Sequence, residues 1–360
     1  MNSKTLPGRK QSVATLADVA KRASVSPMTV SRVINGDQSV RASNRDRVNE
    51  AVAALNYQPN QAARRLAGSE LIRVGVLYSN PSAGYLSEFL VGVLNQASLS
   101  HVQLIVEKCE VDEHEGEVAA NLIDSGIDGI ILPPPFCDSA RLLDLVAKSS
   151  TPAVAIACGL PDKRVSAVSI DDFQAAYSMT RHLIALGHQR IGFIAGHPNQ
   201  TASARRLAGF REAMADAALE VPDDLVAQGM FNYRSGLDAA EILLSTEQRP
   251  SAIFASNDDM AAATVAVAHR MHLDVPGDLT VAGFDDAALA STIWPELTTV
   301  RQPITEMASM AVELLVRQIR AHRSGDLESP EHIVMDFALI RRQSDAAPRL
   351  RPPVRRVNLA

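Results

Sequence analysis

The chain has 360 residues, a net charge of −6 and a pI of about 5.9. No stretch approaches the roughly 20 apolar residues that span a bilayer, and no apolar N-terminal run reads as a signal peptide, so neither a membrane-spanning nor an exported chain is expected. The charge is unevenly spread: residues 1–69 hold eleven Lys or Arg against four Asp or Glu, and residues 70–340 hold eighteen against thirty-six. Only the first module is built for a polyanion, the usual electrostatic footprint of DNA binding; a solvated basic face is the plainer reading of the same charge.

Residues 1–13 are expected to be a flexible segment, and 14–58 an all-α helix-turn-helix domain. Thr15 stands three residues before Asp18 in a capping-box arrangement, with Leu16, Val19, Ala20 and Ala23 at helical spacing as far as Ser24. A second helix starts at the N-cap type Ser26, has Pro27 at its first position, and runs through Val30 and Val33 to Gly36. The short gap makes a tight helix-turn-helix. A third helix is predicted from Ser43, with Asp46 three residues on and Val48, Val52 and Leu55 on its inner face. Pro59 blocks its continuation, and the helix-prone residues 60–68 are fewer than the roughly 12–15 that an isolated helix needs, so 59–69 is expected to be unstructured away from a partner.

The stretches TLADVAKRASVSPMTVSRVIN and LNYQPNQAARRLAG meet, almost position for position, the patterns TLxDVAxxAxVSxxTVSRVxN and LNYxPNxxARxLxG. They resemble the N-terminal domain of LacI/GalR-family bacterial transcription regulators, and the similarity covers nearly the whole chain. The resemblance implies that the second helix lies in the major groove of an operator. There Pro27 and Met28 occupy the positions that vary to choose the sequence, and Arg32 can make a bidentate contact to guanine. Thr15, Ser26, Thr29, Ser31 and Asn35 would meet phosphates or position the helix, and Leu16, Tyr57 and Asn60 complete the DNA-contacting set. Val30 and Val33 read as core. Residues 59–69 would become a hinge helix on DNA, paired with its twin across a dimer axis, with Ala63 permitting close approach and Leu66 wedged into the minor groove.

From Leu71 the chain alternates short β-branched runs with amphipathic helices. Strands are predicted at Ile72–Tyr78, Val102–Glu107, Gly129–Leu132, Ala153–Ala157, Arg190–Ala195, Ser251–Ala255 and Leu279–Phe284, which implies parallel sheets covered on both faces. About 270 residues is long for one doubly wound unit, so two lobes are expected. The resemblance makes 70–342 a two-lobed α/β domain like the type 1 periplasmic binding proteins, with an N-lobe at 71–168 and 299–328 and a C-lobe at 169–298 and 329–342. Three prolines in 343–360 predict a disordered tail and no tetramerisation helix.

Ligand groups in open α/β folds gather at the carboxyl ends of strands, where Ser79-Asn80, Asp171-Asp172, Asn257-Asp258 and Asp285-Asp286 fall. Any one Asp-Asp pair is commonly a helix cap. The resemblance selects Arg206 as the effector clamp and Asp285 as the acid that takes hydroxyls, with Ser79, Tyr85, Asn257 and Phe231 as further contacts. Near Tyr85 the run NPSAGYLSEF departs from the family pattern, which leaves the aromatic wall of the pocket open. Trp294 reads as core or hinge packing, with the cleft rim as the alternative.

There is no GxGxxG after a strand and no GxxxxGK; the nine histidines are scattered, with His269 and His272 a plain i, i+3 pair. No cofactor, metal or catalytic role is therefore expected. Cys109, Cys137 and Cys158 are odd in number and lack CxxC spacing, which predicts buried thiols in a reducing compartment. The expected molecule is a cytoplasmic, nucleoid-associated homodimer: a ligand-responsive repressor of carbohydrate-utilisation genes, released from a palindromic operator by a sugar. The alternatives are a regulator with a purine-like corepressor, or a small-molecule binding protein or sugar-modifying enzyme without DNA function. Leu66→Ala is expected to weaken operator binding at constant salt while sparing dimerisation and non-specific DNA binding, because it removes the wedge and leaves the phosphate contacts. Footprinting against wild type checks this, and equal operator affinity would remove the minor-groove role.

Overall fold

The computed structural model of the chain describes residues 15–34, 40–55, 71–79, 81–110, 114–326 and 328–349. The expected flexible segment 1–13, the hinge 59–69, residues 350–360, and with them Asn35, Tyr57, Asn60, Ala63, Leu66 and Asn80, lie outside the described residues. Two units divide at Leu71.

In the first unit, α1 (Leu16–Ala23) opens on a reciprocal capping box: Asp18 N donates to Thr15 Oγ1 at 3.3 Å and Thr15 N donates to Asp18 Oδ2 at 2.9 Å. It ends at Ser24, which adopts a left-handed φ of 53°. α2 (Pro27–Ile34) is capped by Ser26, whose Oγ accepts from Thr29 N at 3.1 Å. α3 (Ala42–Ala54) begins earlier than predicted: Asn44 and Arg45 donate to the Arg41 carbonyl, so Ser43 lies inside the first turn and is not its cap. Val19, Ala20, Ala23, Val30, Val33, Val48 and Ala51 make the core, with Val52 and Leu55 only packed against its edge.

The second unit runs β1 (Ile72–Tyr78), α4 (Ala83–Leu99), β2 (Val102–Lys108), α5 (Glu115–Asp124), β3 (Gly129–Leu132), α6 (Ala140–Ser149), β4 (Ala153–Ile156) and β5 (Ser166–Ile170). It continues through α7 (Asp172–Ala185), β6 (Ile191–Ala195), α8 (Thr201–Asp216), β7 (Val226–Gln228), α9 (Tyr233–Leu244), β8 (Ala252–Ala255), α10 (Asp258–Arg270) and β9 (Thr280–Asp285). Then follow α11 (Leu289–Thr292), β10 (Thr298–Arg301), α12 (Ile304–Ser324), β11 (His332–Met335) and β12 (Ala338–Ile340). All seven predicted strands form, with ends within one residue.

Two six-stranded sheets result, in the orders β11-β5-β4-β3-β1-β2 and β12-β10-β9-β8-β6-β7. All pairings are parallel except β10 with β12. Every residue of β3, β4, β6 and β8 is buried, as parallel strands covered on both faces require.

The lobe boundaries differ from expectation. Val168 lies within β5 of the first sheet, Thr298–Arg301 pairs with β9 in the second, and His332–Met335 pairs with β5 in the first. The crossings therefore fall at 171, 302–303 and 336–337, so 299–301 belong to the C-lobe and 331–335 to the N-lobe. Short β-branched strands carry no mark of which sheet edge they will join, and pairing decides it.

The expected disordered tail also needs correction at its start. Ser344 is fully buried; its Oγ donates to the Val281 carbonyl at 2.5 Å and accepts from Thr298 N at 2.8 Å. Asp345 accepts from Thr298 Oγ1 at 2.9 Å and meets His182 Nε2 at 2.7 Å, while Ala346 N donates to Thr280 Oγ1 at 3.0 Å. Backbone groups of β9 and β10 need partners, and this polar segment supplies them. Ser344→Ala is expected to cost about 1–3 kcal/mol by leaving the Thr298 amide and Val281 carbonyl short of a partner, and truncation before Gln343 more. Thermal or urea unfolding measures both; an unchanged midpoint for the truncated chain would contradict the anchoring.

Candidate functional site

The carboxyl ends of strands from both sheets converge on one narrow cleft, where open α/β folds bind their ligands. Pro81, Ser82 and Tyr85 enter after β1, Pro134 after β3 and Ala157 after β4. From the C-lobe come Gln200, Ala202 and Arg206 of α8 and its approach, Phe231 after β7, Asn257 after β8, Asp285 ending β9, and Gln302 after β10.

Arg206 is buried. Its Nε donates to Asp172 Oδ1 at 2.7 Å and its Nη1 to the Ser256 carbonyl at 2.6 Å, while Nη1 stands 3.9 Å from Asp285 Oδ1. The guanidinium carbon lies 3.6 Å from the centre of the Phe284 ring and 5.7 Å from that of Phe231. Two of its donor positions are thus committed to holding the plane in place, which fixes what remains for a ligand.

Burial pushes the Asp285 carboxyl up to about 7, opposed by Arg206 and by a 2.6 Å hydrogen bond from Gln302 Nε2. Its φ of 106°, with Phe231 at 58° and Ala157 at 54°, puts three non-glycine lining residues in the left-handed region. Each such residue costs on the order of 1–3 kcal/mol, and such strain collects at binding sites. Gln302 Oε1 and the Tyr85 hydroxyl are buried without a hydrogen-bond partner. Burial holds the Tyr85 pKa well above the usual phenol value, so it is a neutral donor.

Phe231 is seated by Gly196, where a Cβ would stand 1.9 Å from the ring. Asn257 lines the cleft, but its Oδ1 accepts from Met260 N at 3.0 Å and its Nδ2 donates to the Phe231 carbonyl at 3.0 Å, so it caps α10 and positions Phe231. Ser79 is not brought to the cleft: its hydroxyl donates to Glu110 Oε2 at 3.0 Å beyond the end of β1. Trp294 is 75% exposed, which removes the core reading. The acidic pairs divide between roles. Asp171 caps α7, Asp172 holds Arg206, and Asp258 accepts from Thr299 Oγ1 at 2.7 Å and from Ala287 N at 2.9 Å.

Sequence reasoning missed Pro81, Ser82, Pro134, Ala157, Gln200, Ala202 and Gln302. Gln302 was reachable, since it follows the end of a strand as the other cleft residues do, but β10 itself was not recognised. Among the described residues no His, Cys, Asp or Glu cluster could hold a metal ion, no helix is long and apolar enough to cross a membrane, and the three cysteines are buried free thiols.

On the helix-turn-helix unit, Pro27, Met28 and Arg32 stand exposed along one side of α2, Met28 at 67%. Val30 and Val33 face the core. Ser26 and Thr29 join hydroxyls at 2.9 Å, and Thr15 is held by Asp18. Leu16 is half-buried and packs on the core, so its place is structural as well as near the surface.

Residues 15–60 match the family model "Bacterial regulatory proteins, lacI family", and residues 180–344 match a periplasmic binding protein-like domain. Catabolite control protein A of Priestia megaterium is 33% identical over 305 residues, 84% of this chain and 92% of that protein. The chain belongs to the LacI family of bacterial regulatory proteins. Among solved structures, a transcriptional regulator CelR–cellobiose complex superposes with a TM-score of 0.71 at 30% identity, covering 92% of this chain and 99% of that one. The lac repressor dimer bound to operator and the anti-inducer ONPF gives 0.79 at 26%, covering 93% and 100%. As a LacI-family member the chain is a DNA-binding, ligand-responsive transcription regulator and not an enzyme.

The raised Asp285 pKa gives a signed pH dependence. The folded chain holds this proton more tightly than an unfolded aspartate, so its contribution to stability falls as pH rises from the ordinary aspartate value of 3.8 to about 7 and is constant above. A ligand hydroxyl donating to Asp285 favours the carboxylate, so ligand affinity should rise as pH crosses about 7. Asp285→Asn should abolish both slopes. Titration calorimetry in buffers of different ionisation heat reads the proton released; a pH-independent affinity in wild type would show that Asp285 does not face the ligand.

Proposed function

We propose that this LacI-family regulator is a homodimeric repressor of carbohydrate-utilisation genes whose effector is a small neutral sugar bound in the cleft. The observation that carries this is the pairing of Arg206 with Asp285 in a buried cleft beside Phe231. The fixed cation and the carboxylate can donate to and accept from hydroxyls, while the aromatic ring can meet an apolar sugar face. Among the described residues the one cation lining the cleft is already matched by Asp172 at 2.7 Å and approached by Asp285. A phosphorylated or acidic ligand would add charge without a free counter-charge, which favours an uncharged polyol. That the CelR structure holds cellobiose supports the same class.

The operator is read by α2, with Arg32 as the principal base contact, Pro27 and Met28 setting selectivity, and Thr15, Ser26, Thr29 and Ser31 toward the phosphates. Asn35, Tyr57, Asn60, Ala63 and Leu66 complete the interface by resemblance. Acting on an operator places the protein in the cytoplasm, at the nucleoid. Dimerisation uses the outer face of α4, where Val91 and Leu94 are 48% and 55% exposed, with symmetry matching a palindromic operator.

The test is a gel shift on a pseudo-palindromic operator with a panel of neutral mono- and disaccharides. One of them should weaken binding by about 5- to 150-fold. Arg206→Ala should bind operator and ignore that sugar. Light scattering should give about twice the chain mass of 38.6 kDa. Operator binding that appears only when a purine is added would replace the sugar reading with the corepressor one, and Arg206→Ala would then fail to bind DNA.

A further inference from the structure

α8 carries Arg206 and Ala202 into the cleft, yet its N-terminus has no cap of its own: the Gln200 side chain makes no capping hydrogen bond. The cap comes from the other lobe. Asp138 closes the short turn Phe136–Asp138 after β3, and its Oδ2 accepts from Thr201 N at 2.9 Å while its Oδ1 accepts from Thr201 Oγ1 at 2.6 Å. A second N-lobe group joins it, since the Leu160 amide donates to the same Thr201 Oγ1 at 3.1 Å. Next to Leu160, Gly159 lies so near α8 that a Cβ there would stand 2.6 Å from Ala202 N and 2.7 Å from Ala202 Cα. Pro134 and Ala157 on one side of this seam, and Gln200 and Ala202 on the other, line the ligand cavity.

We propose that Asp138 is a positioning residue that latches the N-lobe to the first turn of α8, so that closing the cleft and capping the helix that bears Arg206 are one event. The three chain crossings between the lobes run through 171, 302–303 and 336–337, none of which belongs to this seam. Parting the lobes here strips α8 of the acceptor for its first amide, and the uncapped turn disfavours the open form. The carboxylate, the Leu160 amide and the bare Gly159 surface are three separate requirements for one fitted contact. The latch thereby sets how much of the population is ready to hold a ligand, and the apparent affinity falls in proportion when that fraction falls. This role rests on reading the cavity as the effector site, but the contact itself is testable without any ligand.

The experiment is residue-resolved hydrogen–deuterium exchange on the full chain with nothing added, reading the Thr201 and Leu160 amides, with Ile253 in β8 as a monitor of global unfolding. Asp138→Ala should speed exchange of both amides by about tenfold or more while Ile253 keeps its wild-type rate. Gly159→Ala leaves every capping atom in place and adds only a methyl against Ala202, and it should speed the same two amides. Thr201→Ser retains both the amide and the hydroxyl and should match wild type. If Asp138→Ala does not accumulate as folded protein, Asp138→Asn, which keeps one acceptor oxygen, should show the same paired effect at smaller size. Faster exchange at Thr201 with Leu160 unchanged would reduce Asp138 to a local cap, and protection of both amides in Gly159→Ala would remove the latch. Neither result bears on whether a sugar binds, which the operator gel shift reads separately.

Discussion

Arg206 is a cation buried in the wall of its own cleft, and much of the surrounding structure exists to make that tolerable. Removing an ion pair's partner from such a place costs about 3–5 kcal/mol, because the remaining charge is left without water or counter-charge. Asp172 supplies the counter-charge from the start of α7, and the Ser256 carbonyl takes a second donor at 2.6 Å. Phe284 covers the guanidinium face at 3.6 Å. These three partners come from different strand ends, so the cation is placed only when the second sheet is assembled in register. Asp285 then stands at 3.9 Å, near enough to feel the charge and not so near as to be consumed by it. Burial raises its pKa to about 7, and Arg206 at this distance opposes that rise without cancelling it.

The recognition unit obeys the opposite constraint. Its core of seven small residues leaves Pro27, Met28 and Arg32 on the exposed side of α2. Side chains outside the core can change without unfolding the domain, so a fixed scaffold can present a variable reading face. The cleft lacks that freedom. Gly196 admits the Phe231 ring only because it has no Cβ, and Asn257 spends both side-chain groups holding the backbone around it. Among the lining side chains Gln200 makes no capping hydrogen bond to α8, so it can vary at least cost to the frame, whereas Ser82 caps α4 and Gln302 holds Asp285.

The capping box at Thr15, the Ser26–Pro27 helix start and seven of the twelve described strands were legible because each is encoded within a few residues of its own position. β5, β7, β10, β11 and β12 were not, since they became strands by pairing with neighbours distant in sequence and carried no run that marked them beforehand. Their omission displaced the lobe boundaries. The tail error has the same origin: three prolines argued correctly against a helix, but Ser344 and Asp345 are held by Thr298 and His182, 46 and 163 residues away. For the cleft, Arg206, Asp285, Phe231 and Tyr85 were reachable through strand-end placement joined to family resemblance. Ser79 is turned from the cleft: strand-end position alone does not say which way a side chain turns, and here Glu110, just past the end of the neighbouring β2, accepts its hydroxyl.

The two faces of α8 explain why one helix can serve both binding and switching. Toward the C-lobe it is held by close packing: Gly209 lies against the Phe173 carbonyl, where a Cβ would approach to 2.1 Å. Toward the N-lobe its Thr201 is held by the Asp138 carboxylate and the Leu160 amide, both exchangeable with water, with the bare Gly159 backbone seated against Ala202. Close-packed apolar contacts resist gradual parting, whereas hydrogen bonds at a seam can be traded for solvent at small net cost. Motion between the lobes therefore leaves Arg206 with the C-lobe and takes the N-lobe wall away from it. A ligand that spans Arg206 and Tyr85 binds the closed arrangement preferentially, and that difference in affinity is the only currency by which it can shift a conformational equilibrium.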